Sequence, residues 1–411
     1  MRLHAVCIVG LGIALMPVSA RSLQESAAAT PVTIHAARLL DGTGKVLENA
    51  TIEVRGGKIT AVDQRKGPYT HDLGNVTLLP GLIDVHVHID WHFQPNGLYG
   101  FRQGNERETP EQAAAAIQKN LDDTLNAGFT TIQTLGARGD KELRDAIAAG
   151  TKRGPRILTS LGQIQPGQQT PEQLRQRVRQ LKTDGADVIK VFASGSIRDG
   201  GKMNVTQEQL DAVCGEAKAQ GLRSAIHAHD PASIIGSVNA GCSQIEHGVF
   251  ADDAAIAAMK KANVFFDPNI GLVLQNYIEN KAKYMGSGNY NEEGFAFMEK
   301  AVPTLGPVFN KALKAGLRMP HGTDAVAGAH GQNAREAFVR VKDGGQPPMQ
   351  AVISATSLAA ESLGLGASVG RLAPGYAADI IAVNGSPDKD ILALGKVTFV
   401  VKTGKVEKKG Q

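Results

Sequence analysis

Between residues 81 and 367 the chain alternates short apolar runs with longer stretches in which apolar residues recur at helical spacing. The short runs are rich in Val and Ile, which is typical of strands buried on both faces of a parallel sheet. The predicted strands are residues 82–88, 129–135, 155–160, 186–192, 222–228, 243–247, 262–267 and 317–322. Eight strand–helix units in about 285 residues have the size of a closed (β/α)8 barrel of the TIM type. An open doubly wound sheet is the alternative, but no Gly-x-Gly-x-x-Gly motif follows the first run.

Three predicted helices of this region carry clear start signals. Thr109 and Thr170 each precede a proline and an acidic residue, which is the pattern of a helix cap followed by the first helical turn. Thr206 precedes a third helix, whose end is predicted at Gly221. These signals support the alternation of strands and helices.

The two ends of the chain have a different pattern. Residues 31–80 and 368–408 consist of short alternating runs separated by turn signals, which predicts strands and hairpins. Because chain termini usually lie close together, the two segments are predicted to pair into one composite β-sandwich domain beside the barrel of residues 81–367.

The first 20 residues have the features of a secretory signal peptide. Arg2 supplies the positive charge, residues 6–16 are mostly apolar, and Ala20 ends a cleavage site of small residues. The apolar run is well short of the ~20 residues that a membrane-spanning helix needs. The sequence therefore predicts a mature protein that begins near Arg21 and is periplasmic or secreted. A buried first strand and a membrane anchor are the alternatives.

Composition and charge exclude some classes of function. The chain is 42% apolar and 20% charged, and its net charge of +4 comes from scattered Lys and Arg. Neither nucleic acid nor, after removal of the signal, a membrane is an expected partner. The absence of a Cys-x-x-Cys motif excludes a cysteine zinc site. Cys214 and Cys242 are predicted to be buried free thiols, although an oxidising compartment would permit a disulfide.

Six residues of the types that bind metals lie at the ends of predicted strands. They are His86 and His88 on the first strand, Lys190 on the fourth, His227 on the fifth, His247 on the sixth and Asp324 after the eighth. In (β/α)8 barrels the functional groups lie at the carboxyl ends of the strands, so these side chains are expected to meet at the barrel mouth.

The histidines have the spacing of metal ligands. His86 and His88 are two residues apart, so both rings point to the same face of the strand. Paired imidazoles of this kind are typical of zinc sites. His229 shares a strand face with His227 and is the alternative ligand. If His227 is the ligand, His229 is expected to support the metal ligands or to contact the substrate.

Lys190 lies in the apolar run DVIKVFA, where burial of an unpaired ammonium would cost several kcal/mol. One explanation is a buried salt bridge, with Asp187 as the candidate partner. The other is carboxylation, in which a lysine of lowered pKa takes up carbon dioxide and becomes an anionic carbamate that bridges two cations. The histidines and the aspartate on neighbouring strands favour carboxylation.

The expected chemistry is metal-dependent hydrolysis. Two divalent cations lower the pKa of a bridging water toward neutrality, which supplies hydroxide, and polarise a substrate carbonyl. Asp324 is expected to accept the proton and pass it to the departing amine, with Lys190 as the other catalytic residue. Zinc is the expected metal, although the same ligands accept manganese or cobalt.

The motif PGLIDVHVHID and the order of the six residues resemble the amidohydrolase superfamily over roughly residues 31–408. Lys190 on strand four resembles the binuclear subtype, in which a carboxylated lysine bridges the metals. The segments IKVFASGSIRDGG, FFDPNIGLVLQNYIENKAKY and GTDAVAGAHGQN are similar to the imidazolonepropionase-like branch. That branch includes Xaa-Pro dipeptidases, carboxypeptidases and ochratoxin-hydrolysing amidases.

The resemblance implies a substrate and its contacts. The substrate would be an amide whose nitrogen belongs to an amino acid with a free carboxylate, such as a dipeptide or an N-acyl amino acid. The seventh and eighth loops would bind that carboxylate, and Tyr277 and His330 match their positions. Arg198, in the turn after strand four, would add a positive charge, with a solvated turn residue as an equal alternative. The resemblance also implies a homo-oligomer.

Two further features have no assigned role. His321 departs from the family pattern, which has an apolar residue there, and it is expected to be buried and hydrogen-bonded. Trp91 belongs to the aromatic loop of residues 90–108, which either lines a pocket or packs between subunits.

Two other functions are compatible with the sequence. A metal-dependent deaminase or cyclic-amide hydrolase would use one metal and an acid near strand five, where the segment HAHDPAS lacks the expected glutamate. An inactive barrel that serves as a binding protein would have an incomplete ligand set, whereas this set is complete. The number of bound metal ions per chain would distinguish the three functions. Two ions favour the two-metal hydrolase, one favours the deaminase, and none favours the binding protein.

Overall fold

The computed structural model describes residues 30–100 and 107–409. The predicted signal peptide lies outside these ranges and stays a prediction. The strands are β1 Val32–Leu40, β2 Val46–Arg55, β3 Lys58–Asp63, β4 His71–Asp72, β5 Thr77–Pro80, β6 Leu82–Val87, β7 Phe129–Thr134, β8 Arg156–Thr159, β9 Gln163–Ile164, β10 Val188–Phe192, β11 Arg223–Ala228, β12 Gln244–His247, β13 Phe265–Asp267, β14 Ile380–Val383, β15 Val397–Lys402 and β16 Lys405–Lys409.

The helices follow most of the barrel strands. They are α1 Pro110–Asn126, α2 Asp140–Ala148, α3 Pro171–Asp184, α4 Gln207–Ala219, α5 Pro231–Asn239, α6 Asp253–Ala262, α7 Val273–Glu279, α8 Lys281–Tyr284, α9 Glu292–Lys314, α10 Arg335–Lys342, α11 Pro348–Ser354 and α12 Ser357–Ser362, with 3-10 helices at Ile197–Asp199 and Ile391–Gly395. The predicted caps Thr109, Thr170 and Thr206 are confirmed, since each accepts a hydrogen bond from a backbone amide of the first turn. Within the described ranges no helix is long and apolar enough to span a bilayer.

Strands from both ends of the chain form one sheet in the order β16-β15-β14-β5-β1-β2-β3, with β4 paired to β1. Ile380 of β14 lies opposite Pro80 of β5 in an antiparallel ladder, which joins the two ends directly. Ile34, Ile52 and Phe399 share one buried cluster, which is the core of this composite domain. Residues on the opposite face of the sheet pack against the barrel in a second cluster.

The barrel is built from two parallel sheets, β6-β7-β8 and β9 to β13. The eighth predicted strand, residues 317–322, is not a regular strand. Its carbonyl oxygens still accept backbone hydrogen bonds from both neighbouring strands. The Val85 amide donates to His321 O (3.0 Å), and the Phe266 amide donates to Arg318 O (3.0 Å). This segment therefore lies between β6 and β13. Proline and glycine at its end explain the irregular pairing.

The two cysteines of the barrel are paired, so the prediction of free thiols is wrong. Cys214 on α4 and Cys242 after α5 form a disulfide, with their Cα atoms 5.1 Å apart. Helices α4 and α5 are in contact, which brings the two residues within the range that a disulfide requires. The pairing depends on this helix contact, which the spacing of the cysteines in the sequence does not reveal.

Candidate metal centre

A cavity of about 550 Å³ opens at the carboxyl ends of the barrel strands. Its walls contain all the predicted metal-ligand residues and three of the four predicted substrate contacts, namely His86, His88, Lys190, His227, His247 and Asp324 together with His229, Arg198 and Tyr277. Parallel strands end at one rim of the barrel, which is why residues so far apart in the chain meet here.

His86 and His88 lie together with Asp324 on one side of the cavity. The Nε2 atoms of His86 and His88 are 3.4 and 3.1 Å from Asp324 Oδ1. All three side chains are largely buried. The alternation of β6 directs both rings inward, as the sequence predicts, and the carboxylate comes from the segment that closes the barrel.

Lys190 extends from β10 into the same group. Its Nζ is 3.3 Å from His86 Nε2, and the residue is 1% exposed. Burial lowers the pKa of the Lys190 ammonium, whereas Glu246, Asp324 and Asp267 oppose this shift. The alternative partner Asp187 instead accepts a hydrogen bond from Arg144, with Oδ2 and Nη1 2.8 Å apart. The structure therefore does not support a salt bridge between Lys190 and Asp187.

A second group of histidines completes the rim. The ring centroids of His227 and His247 are 4.6 Å apart, and His229 lies 4.5 Å from His227 and 5.0 Å from His247. Burial lowers the pKa of His227 and His247 well below the usual value and that of His229 to about 3. The imidazoles are therefore neutral, which is the form that ligates metals. His227 Nε2 is 3.2 Å from the carbonyl oxygen of Gly195, and both nitrogens of His229 lack a partner in the described ranges.

Two of these residues have strained backbones. His247 and Asp324 have φ angles of 69° and 52°, in the left-handed region that non-glycine residues seldom adopt. Such conformations cost of the order of 1–3 kcal/mol and cluster at functional sites. Here they turn the two side chains into the cavity as each strand ends.

The side chains fit a metal ion. His86, His247 and Asp324 each offer a ligand atom, and these atoms lie within 4.8 Å of one another. Neutral imidazole and carboxylate are the donors that zinc and similar cations prefer. The remaining three residues, His88, Lys190 and His227, border this group, so the rim carries more potential ligands than these three.

The cavity wall also contains a positively charged side chain. The guanidinium of Arg198 stacks over the ring of Tyr290 at 4.0 Å and lies 5.5 Å from that of Tyr277. Its Nε donates a hydrogen bond to Asn289 Oδ1 (2.7 Å), which fixes the side chain. Arg198 is thus held in the wall and is not a solvated turn residue.

Three other residues singled out in the sequence, His330, His321 and Trp91, differ in their relation to the cavity. His330 is buried near the backbone of His88 and Trp91 and is absent from the residues that line the cavity, so its contact with the substrate stays a prediction. His321 is buried, as predicted, but neither ring nitrogen has a hydrogen-bond partner in the described part of the chain. Trp91 stacks on His88 with centroids 4.7 Å apart and lines the cavity, which supports the pocket interpretation for this residue.

A set of buried charged residues, which the sequence did not predict, lies behind the candidate metal ligands. Glu246 Oε2 is 2.9 Å from His86 Nδ1, and Arg340 lies 3.1 Å from Asp267 on the adjoining strand. The signal for Glu246 is an acid inside the apolar strand SQIEHG. Arg340 has no such signal, because its helix has an ordinary amphipathic pattern.

Comparison with known proteins identifies the family. Residues 77–408 match the model of the Amidohydrolase family, and the chain belongs to this family. It is 27% identical to the ochratoxinase of Aspergillus niger over 97% of this chain and 91% of that protein. The crystal structure of a Xaa-Pro dipeptidase with bound methionine in its active site superimposes with a TM-score of 0.82, at 29% identity over 92% of this chain and all of the other. The crystal structure of A. niger ochratoxinase gives a TM-score of 0.78, at 25% identity over 93% and 96% of the two chains.

These relatives confirm the predicted class. The fold is a TIM barrel with an additional β domain, and the protein is a hydrolase of amide bonds. The family generally uses metal ions, for which the cavity has a suitable group of His and Asp side chains.

Proposed function

We propose that this protein uses two divalent cations, bridged by a carboxylated Lys190, to hydrolyse the amide bond to an amino acid with a free carboxylate. The observation that carries the proposal is one cavity that holds both the metal-ligand residues and a fixed cationic side chain, Arg198. The similarity to an ochratoxinase and a Xaa-Pro dipeptidase supports the same substrate class.

The proposed metal ligands form two groups, one for each cation. His86, His88 and Asp324 would hold the first, and His227 and His247 the second. Lys190 extends to His86 and, once carboxylated, would supply one oxygen to each. Zinc is the proposed metal because neutral imidazoles dominate the donor set. When bound, the two cations would activate water at neutral pH and polarise the substrate carbonyl.

Asp324 is the proposed proton acceptor. Its carboxylate faces His86 and His88, and the neighbouring cationic and imidazole groups together hold its pKa below the usual value despite burial. The side chain is therefore ionised and ready to accept a proton from the attacking water. Asp324 then delivers that proton to the nitrogen of the departing amine, which leaves as an amino acid.

Arg198 and Tyr277 are the proposed binding site for the substrate carboxylate. A guanidinium forms strong, directional hydrogen bonds with carboxylates. Asn289 and Tyr290 fix the guanidinium before the substrate arrives, which lowers the entropic cost of binding. Burial raises the pKa of the Tyr277 hydroxyl, so it stays protonated and can donate a hydrogen bond.

The carboxylate requirement is tested with paired substrates. We expect the protein to hydrolyse N-acyl amino acids and dipeptides and to be much less active on the same compounds amidated at the C-terminus. Arg198→Met should reduce kcat/KM for the free acids by about 10- to 100-fold, the value of a lost charged hydrogen bond, with little effect on the amidated analogues. Arg335→Met, at an exposed ion pair with Glu279, is the matched control. An equal loss on acids and amides would contradict the assignment.

A periplasmic or secreted location is part of the proposal. The Cys214–Cys242 disulfide supports it, because disulfides form and persist in oxidising compartments. Fractionation of the native cells tests this location, and a protein retained in the cytosol with two free thiols would contradict it.

A further inference from the structure

A series of fully buried charged residues runs from the metal-ligand residue His86 to helix α10. His86 Nδ1 lies 2.9 Å from Glu246 Oε2 and 3.9 Å from Asp267 Oδ2. Asp267 Oδ1 accepts a hydrogen bond from Arg340 Nη2 (3.1 Å), and Arg340 Nε donates another to Glu336 Oε1 (2.7 Å). The acids and the arginine are all 0% exposed.

The first contact determines which nitrogen of His86 carries a proton. A neutral imidazole has one N–H and one lone pair. Nε2 faces the cavity, at 3.4 Å from Asp324 Oδ1, so a cation there needs the lone pair on Nε2. The proton must then be on Nδ1, where Glu246 Oε2 accepts its hydrogen bond. Glu246 therefore selects the tautomer that can ligate.

Glu246 is itself held in place. Gln244 Nε2 donates a hydrogen bond to Glu246 Oε1 (2.8 Å), so both carboxylate oxygens have a partner. Asp267 is the register partner of Glu246 on the next strand and carries the link to Arg340. A side chain at Gly322 would place its Cβ 1.9 Å from Asp267 Oδ2, so only glycine leaves room for this carboxylate.

The network is not explained by stability alone. Replacing buried ion pairs with apolar side chains of similar volume is often neutral or stabilising, because desolvation of the charges offsets their attraction. The buried carboxylate of Glu246 is therefore better explained by its contact with His86 than by the free energy of folding.

We infer that Glu246 is a positioning residue for the metal centre, which holds His86 with its proton on Nδ1. The inference rests on the metal centre of the proposed function but makes no use of the substrate assignment.

Metal affinity tests the inference. Zinc affinity of the full-length protein is measured by competition with a chelator, and the absorption spectrum of the cobalt-loaded protein reports on ligand geometry. Glu246→Ala should weaken the affinity of one of the two sites by about 10- to 100-fold and alter the cobalt spectrum. Glu246→Gln keeps an oxygen acceptor at the same position and should recover most of the affinity.

Asp379→Asn is the matched control. Asp379 is also a buried carboxylate, bonded to Arg156 (2.6 Å) and the amide of Thr403 (2.7 Å) in the β domain. This variant should lower the thermal midpoint without changing zinc affinity. Glu246→Ala with wild-type zinc affinity and cobalt spectrum would overturn the inference.

A measurement on the unmodified chain covers the case in which Glu246→Ala does not fold. In the metal-free protein with 15N-labelled histidine, the His86 signals, assigned by their loss in His86→Asn, should show the proton on Nδ1. A proton on Nε2 would overturn the inference. If zinc binding follows these expectations but free acids and amides are cleaved equally, only the substrate assignment fails.

Discussion

Replacing Lys190 with alanine is expected to reduce the rate of amide hydrolysis by about 1000-fold or more, since metal activation contributes several kcal/mol to transition-state stabilisation and each 1.4 kcal/mol is tenfold. Lys190 is the residue proposed to bridge the two cations, so its loss should disrupt the centre as a whole. The measurement is kcat/KM on an N-acyl amino acid with zinc and bicarbonate present.

Chemical rescue distinguishes this role from a structural one. A short carboxylate such as acetate or propionate should enter the space left in Lys190→Ala and restore part of the activity. Lys402→Ala is the control, since Lys402 is a partly buried lysine of the β domain that donates to the Gly154 carbonyl (2.7 Å). Full activity in Lys190→Ala would refute the bridging role.

Replacing Asp324 with asparagine should reduce kcat by about 100- to 10,000-fold, the range of general acid–base catalysis, while the protein still binds metal. Asparagine keeps the shape and one oxygen donor of the side chain but cannot accept a proton at neutral pH. Metal content and kcat are measured on the same preparation.

The matched variant is Asp187→Asn, which removes the carboxylate that pairs with Arg144 outside the cavity. It should leave kcat close to that of the wild type. Unchanged turnover in Asp324→Asn would remove Asp324 from proton transfer, and loss of metal would reassign it as a ligand only.

Much of the site could be predicted because the spacing of residues along a strand, and their position near its end, can be read from the local sequence. The two-residue spacing of His86 and His88 directs both rings inward, and an apolar run around Lys190 already implies its burial. The barrel topology then brings the strand ends to one rim, so residues from five segments meet in a predictable place.

The features that the sequence left open, or that were predicted wrongly, depend on contacts between elements. Arg198 lies in a turn, and only the arrival of Tyr290 and Asn289 from a distant loop holds it in the cavity wall. Cys214 and Cys242 pair because α4 and α5 are neighbours. The eighth segment loses regular strand pairing where Gly322 makes room for a carboxylate from the neighbouring strand.

The metal content of the wild-type protein tests the central proposal most directly. After incubation with zinc and bicarbonate and removal of unbound metal, mass spectrometry of the metals gives the number of zinc ions per chain. We predict two. One zinc ion per chain, or none, would contradict the proposed two-metal centre.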